Sequence, residues 1–178
     1  MNVTQAPPNV CDDVLIALRR IIQSIDQHSR FLMKRFHLTG PQLMVLQEIQ
    51  RSEGVSASQL AKAISLSQAT MTGILERLEK RALIQRRRSD MDRRRVMVTP
   101  TAAGAELLAA APPLMQESFT AQFAGLQEWE QHMILSSLQR IVTMMNAKLI
   151  DAAPILTTGP IEPPPPEFLE VNGQRKAV

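Results

Sequence analysis

Residues 56–100 read SASQLAKAISLSQATMTGILERLEKRALIQRRRSDMDRRRVMVTP, and this stretch decides the fold. Ser56 is followed three positions later by a glutamine, which is the pattern of a helix capping box, and Thr39 shows the same spacing upstream. A further cap, Ser67, comes after a very short gap and precedes an apolar stripe at helical spacing. Two short capped helices joined by a tight turn predict a helix-turn-helix unit.

The second of these helices has two dissimilar faces. Its apolar side chains fall at i, i+3, i+4 and i+7 and predict the buried side: Met71, Ile74, Leu75 and Leu78. The other side is small and polar at its start and basic further along, which suits close approach to base edges in a DNA major groove. The expected major-groove residues are Ser67, Gln68, Ala69, Thr70, Thr72, Gly73 and Arg77. An ordinary solvated face, or a tight helix–helix contact at Gly73, is the alternative.

The segment RRRSDMDRRRV, residues 86–96, predicts a β-hairpin with an arginine-rich tip. Its centre, Ser89–Asp92, has the composition of a turn, and the β-branched run at 96–99 predicts the returning strand. Residues 77–95 contain nine basic and three acidic side chains, which gives this segment a net charge of +6, whereas the whole chain has a net charge of +3. Such a patch favours a polyanion, with one arginine in a minor groove and the others on phosphates. The expected wing and phosphate residues are Arg86, Arg87, Arg88, Asp92, Arg93, Arg94 and Arg95.

Long amphipathic segments flank this unit on both sides. Apolar residues at a 3.6-residue period predict one helix over residues 12–37 and a last helix over 129–149. Between them, a helix from about residue 100 to 123 is expected to kink or break at Pro112–Pro113. These stripes carry more apolar surface than a single helix-turn-helix unit covers, which predicts a symmetric dimer. The alternative is a cap formed within one chain.

Composition excludes several classes of protein. The chain of 178 residues is 44% hydrophobic and 21% charged, which is typical of one globular domain. It has neither a signal-peptide pattern nor a membrane-length apolar run, which predicts a cytoplasmic protein without a membrane partner. It has no Cys/His spacing for a metal, no phosphate-binding loop and no nucleophile–base motif. We therefore expect no cofactor, no metal and no enzymatic activity.

Residues 56–104 resemble the winged helix-turn-helix core of the MarR family of transcriptional regulators. The resemblance rests on the Ser/Thr-rich start of the second helix, on LERLEKR, and on a D-x-R wing tip followed by V-x-V-T. It implies a mainly α fold with a small β-hairpin wing, in which a winged helix-turn-helix unit carries N- and C-terminal dimerisation helices. The expected organisation of the chain is a flexible N-terminus at 1–11, a MarR-type domain at 12–153 with dimerisation helices at 12–37 and 101–153 around a winged unit at 38–100, and a Pro-rich disordered tail at 154–178.

The same resemblance implies a function. We expect a homodimeric, sequence-specific regulator of transcription, a repressor, that binds double-stranded DNA at a pseudo-palindromic operator. Its recognition helices would lie about one DNA turn, roughly 34 Å, apart. In this scheme Asp92 orients Arg94, which enters the minor groove. A narrower resemblance, carried by RRIIQSIDQHSR and LTGPQL, is to the branch that represses ectoine and compatible-solute genes in salt-tolerant bacteria.

The chain departs from the family pattern at two positions. Ala82 stands where the family usually has glycine, so a left-handed backbone there would be strained. Pro100 stands where an aliphatic residue is common, which predicts an altered entry to the following helix.

The resemblance also implies a small-molecule effector that releases the regulator from DNA. The candidate effector residues lie on or just after the first predicted helix: Arg20, His28, Arg30 and His37. Redox sensing through Cys11 is an alternative, which the absence of tyrosine and the neighbouring Asp12 and Asp13 disfavour. A different class of function is a scaffold whose arginine hairpin binds an acidic partner protein. RNA binding is disfavoured because aromatic side chains for base stacking are almost absent.

Overall fold

The computed structural model describes residues 9–52, 54–88, 96–150 and 152–158. Within them the chain is mainly helical, with a small antiparallel sheet whose strand order is β1-β3-β2. The elements, in chain order, are α1 (Val10–Phe36), α2 (Gly40–Arg51), β1 (Val55–Ser56), α3 (Ala57–Ile64), α4 (Gln68–Lys80), β2 (Ile84–Arg88), β3 (Val96–Pro100), α5 (Ala102–Ala110), α6 (Met115–Ala124) and α7 (Glu128–Met144). Every helix of the described residues is too short or too polar to span a lipid bilayer.

The first helix begins earlier than the sequence predicted. The Asn9 side chain accepts a hydrogen bond from the Cys11 backbone N–H at 3.1 Å and caps a helix that starts at Val10. The expected flexible N-terminus at 1–11 is therefore wrong for its last residues, while residues 1–8 lie outside the described part of the chain. At the other end α1 stops at His37, whose φ of 53° is left-handed.

The helix-turn-helix prediction is confirmed. Both predicted capping boxes are present: Thr39 with Gln42 starts α2, and Ser56 with Gln59 starts α3. The Ser67 side chain accepts a 3.0 Å hydrogen bond from the Thr70 backbone N–H and caps α4. Three helix starts are thus fixed by side chains that satisfy otherwise unpaired N–H groups.

The predicted hairpin strands pair antiparallel, with Arg86 opposite Val98 and Arg88 opposite Val96. The sheet also contains β1, which the sequence pattern did not predict. Its two residues, Val55 and Ser56, pair with Val98 and Met97. A strand of two residues is too short to show an alternating pattern, so only the tertiary structure reveals it.

The hydrophobic core lies within the helix-turn-helix and its sheet. The largest fully buried side chains of the described residues include Leu32, Leu38, Leu43, Val45, Leu46, Ile49, Leu60, Met71, Ile74, Leu75, Leu78 and Ile84. The whole predicted stripe of α4 is among them. By contrast, α6 and α7 have no buried residue, and of α1 only Leu32 is buried.

The two prolines end α5, as predicted. It finishes at Ala110, and a new helix, α6, starts at Met115 after Pro112–Pro113. The last helix is shorter than its apolar stripe, because α7 ends at Met144 and Asn146 takes a left-handed φ of 55°. Leu149, the last residue of that stripe, is 98% exposed.

The segment that follows α7 packs back onto the domain. Ile155 is buried, and the Leu156 N–H donates to Gln116 Oε1 of α6 at 3.4 Å. The Thr158 N–H donates to Ser29 Oγ of α1 at 3.1 Å. The expected disordered tail at 154–178 is therefore wrong for residues 154–158, because one isoleucine finds an apolar site and the backbone finds polar partners. Residues 159–178 lie outside the described part.

Candidate nucleic-acid interface

The outer face of α4 presents short polar side chains to solvent. Ser67, Gln68, Ala69 and Thr72 are all exposed there, while the stripe on the other side is buried. The Thr72 hydroxyl donates a 2.9 Å hydrogen bond to the Gln68 carbonyl, so its oxygen keeps acceptor capacity towards an incoming donor. The helix therefore offers a surface that a DNA groove can approach closely.

Thr70 does not belong to that exposed face. Its side chain is only 4% exposed. Its hydroxyl lies 2.7 Å from Ser67 Oγ, and its backbone N–H donates to the same Ser67 oxygen. The prediction of Thr70 as a major-groove residue is thus corrected: the i+3 position after a cap turns inward and stabilises the first turn of α4.

Gly73 lies on the outer side of α4, and no helix of the described residues packs on it. A Cβ added to Gly73 would have as its nearest neighbour Arg77 Nη2, at 3.5 Å, which is an ordinary contact. The alternative of a tight helix–helix contact at this glycine is therefore wrong. The same distance shows that the Arg77 guanidinium folds back along the helix towards Gly73 and flanks the polar surface.

The arginines of β2 differ in what they contact. Arg86 Nε lies 3.0 Å from Glu79 Oε2 of α4, and its side chain is 29% exposed. The Arg86 Nη2 atom is buried and finds no hydrogen-bond partner among the described residues. Arg87 and Arg88 are exposed, and Arg87 Nη2 donates to Gln85 Oε1 at 3.2 Å. Arg86 therefore ties the wing to α4, while the next two arginines remain available to a ligand.

The tip of the wing lies outside the described residues. This covers Asp92, Arg93, Arg94 and Arg95, so their predicted roles on DNA stay predictions. The two strands that carry the tip are in place, with their ends paired at Arg88 and Val96.

Sequence reasoning overlooked three residues that form or contact the turn after α4. Arg81, counted with the basic patch, instead donates to the carbonyl oxygens of Phe36 and His37 at the end of α1. Thr101 donates its hydroxyl to the Ala82 carbonyl at 2.6 Å. Gly104 packs against the backbone of Leu83. The only sequence signal was the isolated glycine in a helix-favouring run, which often marks a close packing contact.

The four candidate effector residues do not form one site. Arg20 is exposed, and Arg30 pairs with Asp26 at 2.8 Å on the surface. The partly buried His28 has a lowered pKa because burial disfavours its charged form, and its Nε2 has no hydrogen-bond partner among the described residues. His37 is the left-handed cap of α1. The structure thus spreads these residues along α1 and its C-terminal cap, and their role in binding an effector stays a prediction.

A cavity of about 240 Å³ lies elsewhere, between α2, α3 and α6. Its lining includes Met44, Arg51, Ile64 and Glu117, and none of the four candidate effector residues. Arg51 and Glu117 form an ion pair across it, with Nη2 and Oε1 3.4 Å apart. This cavity is small for a drug-sized ligand, for which about 300–1,000 Å³ is usual.

Redox sensing through Cys11 gains no further support from the structure. Cys11 is exposed in the first turn of α1, where Asp12 and Asp13 follow it. In the part of the chain that the structure describes, no group of His, Cys, Asp and Glu has the arrangement of a metal site.

The chain ends expose an unusual amount of apolar surface. Trp129 of α7 is 65% exposed. Other large hydrophobic side chains of α1, of α7 and of its C-cap are also exposed: Val14, Leu15, Ile16, Ile21, Ile22, Met133, Leu135, Leu138, Val142, Met144 and Met145. Patches of this kind usually mark an interface in a soluble protein.

Comparison with known proteins agrees with this geometry. The model of the MarR family matches residues 38–96, which is the helix-turn-helix and the first wing strand through to the start of the second. The transcriptional regulator HosA of Escherichia coli O111:H- is 33% identical over 132 residues, 74% of this chain and 96% of that protein. The HTH-type transcriptional repressor NicR of Pseudomonas putida is 31% identical over 139 residues, 76% of this chain and 86% of that protein.

Among solved structures, the S. aureus MepR–DNA complex is similar in fold. It is 23% identical in sequence, covers 73% of this chain and 96% of that chain, and superposes with a TM-score of 0.53. The shared architecture is a winged helix-turn-helix with additional terminal helices.

Proposed function

The chain belongs to the MarR family of transcriptional regulators, and from this membership we propose that it is a homodimeric repressor of transcription. It binds a pseudo-palindromic operator in double-stranded DNA. Helix α4 lies in the major groove, and the arginine-rich wing lies in the adjacent minor groove.

One observation carries the proposal: the exposed polar face of α4 is linked to the arginine strand β2 through a single ion pair. Glu79 follows that face on α4, and Arg86 opens the run of arginines on β2. Short side chains for base contact and exposed guanidinium groups for phosphate contact are therefore parts of one surface. A scaffold for an acidic protein needs the charge of the wing and gives no reason for the small polar face of α4.

The dimer is proposed from the exposed apolar ends. Much of the outer surface of α1 and α7 is apolar, and a lone chain leaves it in water. A second copy, placed by a two-fold axis, covers this surface and holds two recognition helices about one DNA turn apart.

Repression and release by an effector are proposed from the family. NicR, 31% identical to this chain, is named as a repressor. The four candidate effector residues stay predictions, and none of them lines the cavity between α2, α3 and α6. Membership of the compatible-solute branch stays a prediction.

Binding to genomic fragments tests the proposal. Purified protein is incubated with fragments of its own genome, and the retained DNA is sequenced to find an operator. We expect tighter binding to that operator than to a scrambled duplex, at least about 10³-fold, with strong weakening by salt. Equal affinity for both duplexes, or binding to acidic protein alone, would contradict the proposed function.

The wing is tested with matched arginine variants. Arg94→Ala should weaken operator binding strongly while leaving the dimer intact, because the minor-groove contact is lost. Arg88→Ala should weaken operator and scrambled duplex equally, as a phosphate contact does, and lower the salt slope by about 1. Arg140→Ala, an exposed arginine on α7, is the charge-matched control and should change neither.

A further inference from the structure

The turn that follows the recognition helix, residues 81–83, touches elements on both sides of it. We propose that Arg81 is a positioning residue: it sets the orientation of α4 relative to the dimerisation helix α1, and thereby the spacing of half-sites that the dimer accepts. This inference rests on the proposed function. It assigns to Arg81 a role beyond its share in the positive charge of residues 77–95.

Arg81 makes a bidentate contact with the end of α1. Arg81 Nη2 donates to the Phe36 carbonyl oxygen at 3.0 Å, and Nη1 donates to the His37 carbonyl oxygen. These are carbonyl groups at the C-terminal end of α1, where unpaired oxygens and the helix dipole favour a cation. A planar guanidinium with two donors fixes direction as well as distance, which a single ammonium group does not.

The other side of the turn is held by the start of α5. The Thr101 hydroxyl donates to the Ala82 carbonyl at 2.6 Å, and the Thr101 backbone N–H donates to the Leu83 carbonyl at 3.0 Å. A Cβ added to Gly104 would lie 2.1 Å from the Leu83 oxygen, so α5 sits directly on the turn. The turn therefore has little freedom to move independently of α5.

Both neighbours of the turn lead to the proposed dimer interface. The α1 helix carries exposed apolar residues at its far end, and α5 leads to α6 and α7. A change in the angle at which the terminal helices of the two protomers meet is thus transmitted to the end of α4. It is transmitted from α1 through Arg81 and from α5 through Thr101. Without the Arg81 contacts, α4 remains folded but is less fixed in direction.

The test uses the full chain, its operator, a scrambled duplex, and operators whose half-sites are moved apart or together by one base pair. Three variants are compared with the unchanged protein: Arg81→Ala, Arg81→Lys and Lys80→Ala. Lys80 is the exposed neighbour of Arg81 at the end of α4 and serves as the matched control for loss of one positive charge. Binding is measured over a series of salt concentrations, with dimer mass and thermal midpoint measured alongside.

We expect Arg81→Ala to lower the operator-to-scrambled affinity ratio about tenfold and to weaken the preference for one half-site spacing. Its salt slope should stay unchanged, because no phosphate contact is lost. Arg81→Lys should restore the positive charge without restoring the spacing preference, because a single ammonium group does not reproduce the bidentate geometry at the two carbonyl oxygens. Lys80→Ala should keep both the ratio and the preference.

Three results would overturn the inference. A salt slope lower by about 1, with equal loss on both duplexes, would make Arg81 a phosphate contact. A lowered thermal midpoint with unchanged binding by the folded dimer would give it a purely structural role. Full recovery of the spacing preference in Arg81→Lys would exclude a role for the bidentate contact. If Arg81→Ala does not fold, the result for Arg81→Lys alone tests the inference. If the unchanged protein itself fails to distinguish operator from scrambled duplex, the proposed function fails instead.

Discussion

Residues 38–100 and the terminal helices of this chain differ in how they treat their apolar side chains. Within the described residues, all but three of the buried hydrophobic side chains belong to 38–100, the exceptions being Leu32, Leu114 and Ile155. The terminal helices α6 and α7 bury none and expose Trp129 and several leucines and methionines. The winged helix-turn-helix unit therefore completes its own core, whereas the exposed apolar side chains of the terminal helices lack a covering surface in the described chain.

The largest effect is expected from removal of a core side chain in residues 38–100. Leu46→Ala deletes a fully buried side chain of α2, so we expect the free energy of unfolding to fall by about 2–5 kcal/mol. Urea denaturation measures it. Gln50→Ala, on the exposed side of the same helix, is the control and should stay within about 0.5 kcal/mol. A loss below about 1 kcal/mol for Leu46→Ala would contradict this core.

The second prediction concerns the junction between the two regions. Gly104→Ala places a Cβ 2.1 Å from the Leu83 carbonyl oxygen, which is rigid backbone, so α5 must shift. We expect a loss of about 1–3 kcal/mol in the free energy of unfolding, again by urea denaturation. Ala103→Ser, at the exposed neighbouring position of α5, is the control. If Gly104→Ala were neutral, α5 would not rest on the turn.

The third prediction tests the exposed surface. Leu138→Glu places a charge on the apolar side of α7, where Leu138 is exposed in the single chain. We expect the dimer to dissociate at concentrations at least about tenfold higher than for the unchanged protein, by analytical ultracentrifugation. Gln139→Glu adds the same charge at the next exposed position and is the control. Equal weakening by both variants would move the interface away from Leu138.

A gain in stability at the cost of function is expected at Gly73. A Cβ there meets only the flexible end of Arg77, and alanine is more stable than glycine in a helix interior. Gly73→Ala should therefore raise the free energy of unfolding by up to about 1 kcal/mol while weakening operator binding, because in the proposed complex the major groove approaches this position closely. Unchanged operator affinity would remove Gly73 from the interface.

The smallest effect is expected from His28 in α1. Burial lowers its pKa below the ordinary 6.5, so between the folded and unfolded values the unfolded chain binds more protons. Its contribution to stability is present above about pH 6.5 and is lost as the pH falls through and below that value. His28→Gln should flatten the decline of the thermal midpoint between neutral and acidic pH. An identical decline in both proteins would show that other groups cause it.

Much of the winged unit was predictable from local patterns. A cap followed three residues later by glutamine fixes a helix start within one turn, and this held for Thr39 and Ser56. The buried stripe of α4 follows from helical periodicity alone. At Ala82, where the sequence predicted that a left-handed backbone would be strained, the chain nevertheless adopts a left-handed φ of 53°.

Other features depend on contacts between distant parts of the chain. The sequence grouped Arg81 with the wing arginines because they share a charge, while the fold directs it to α1, 44 positions earlier. It placed Thr70 among the major-groove residues, while the cap interaction with Ser67 turns its side chain inward. The packing of Ile155 was likewise hidden in a proline-rich composition.

By itself, the sequence determined the helix starts after Thr39, Ser56 and Ser67, the break at the two prolines, the inward stripe of α4 and the concentration of positive charge near the wing. These depend on interactions within about one helical turn or on simple side-chain chemistry. Only the tertiary structure decided which cations face outward, which glycine is a packing contact, and which apolar surface stays uncovered. Those outcomes depend on which distant backbone groups and side chains meet, and a local pattern carries no information about them.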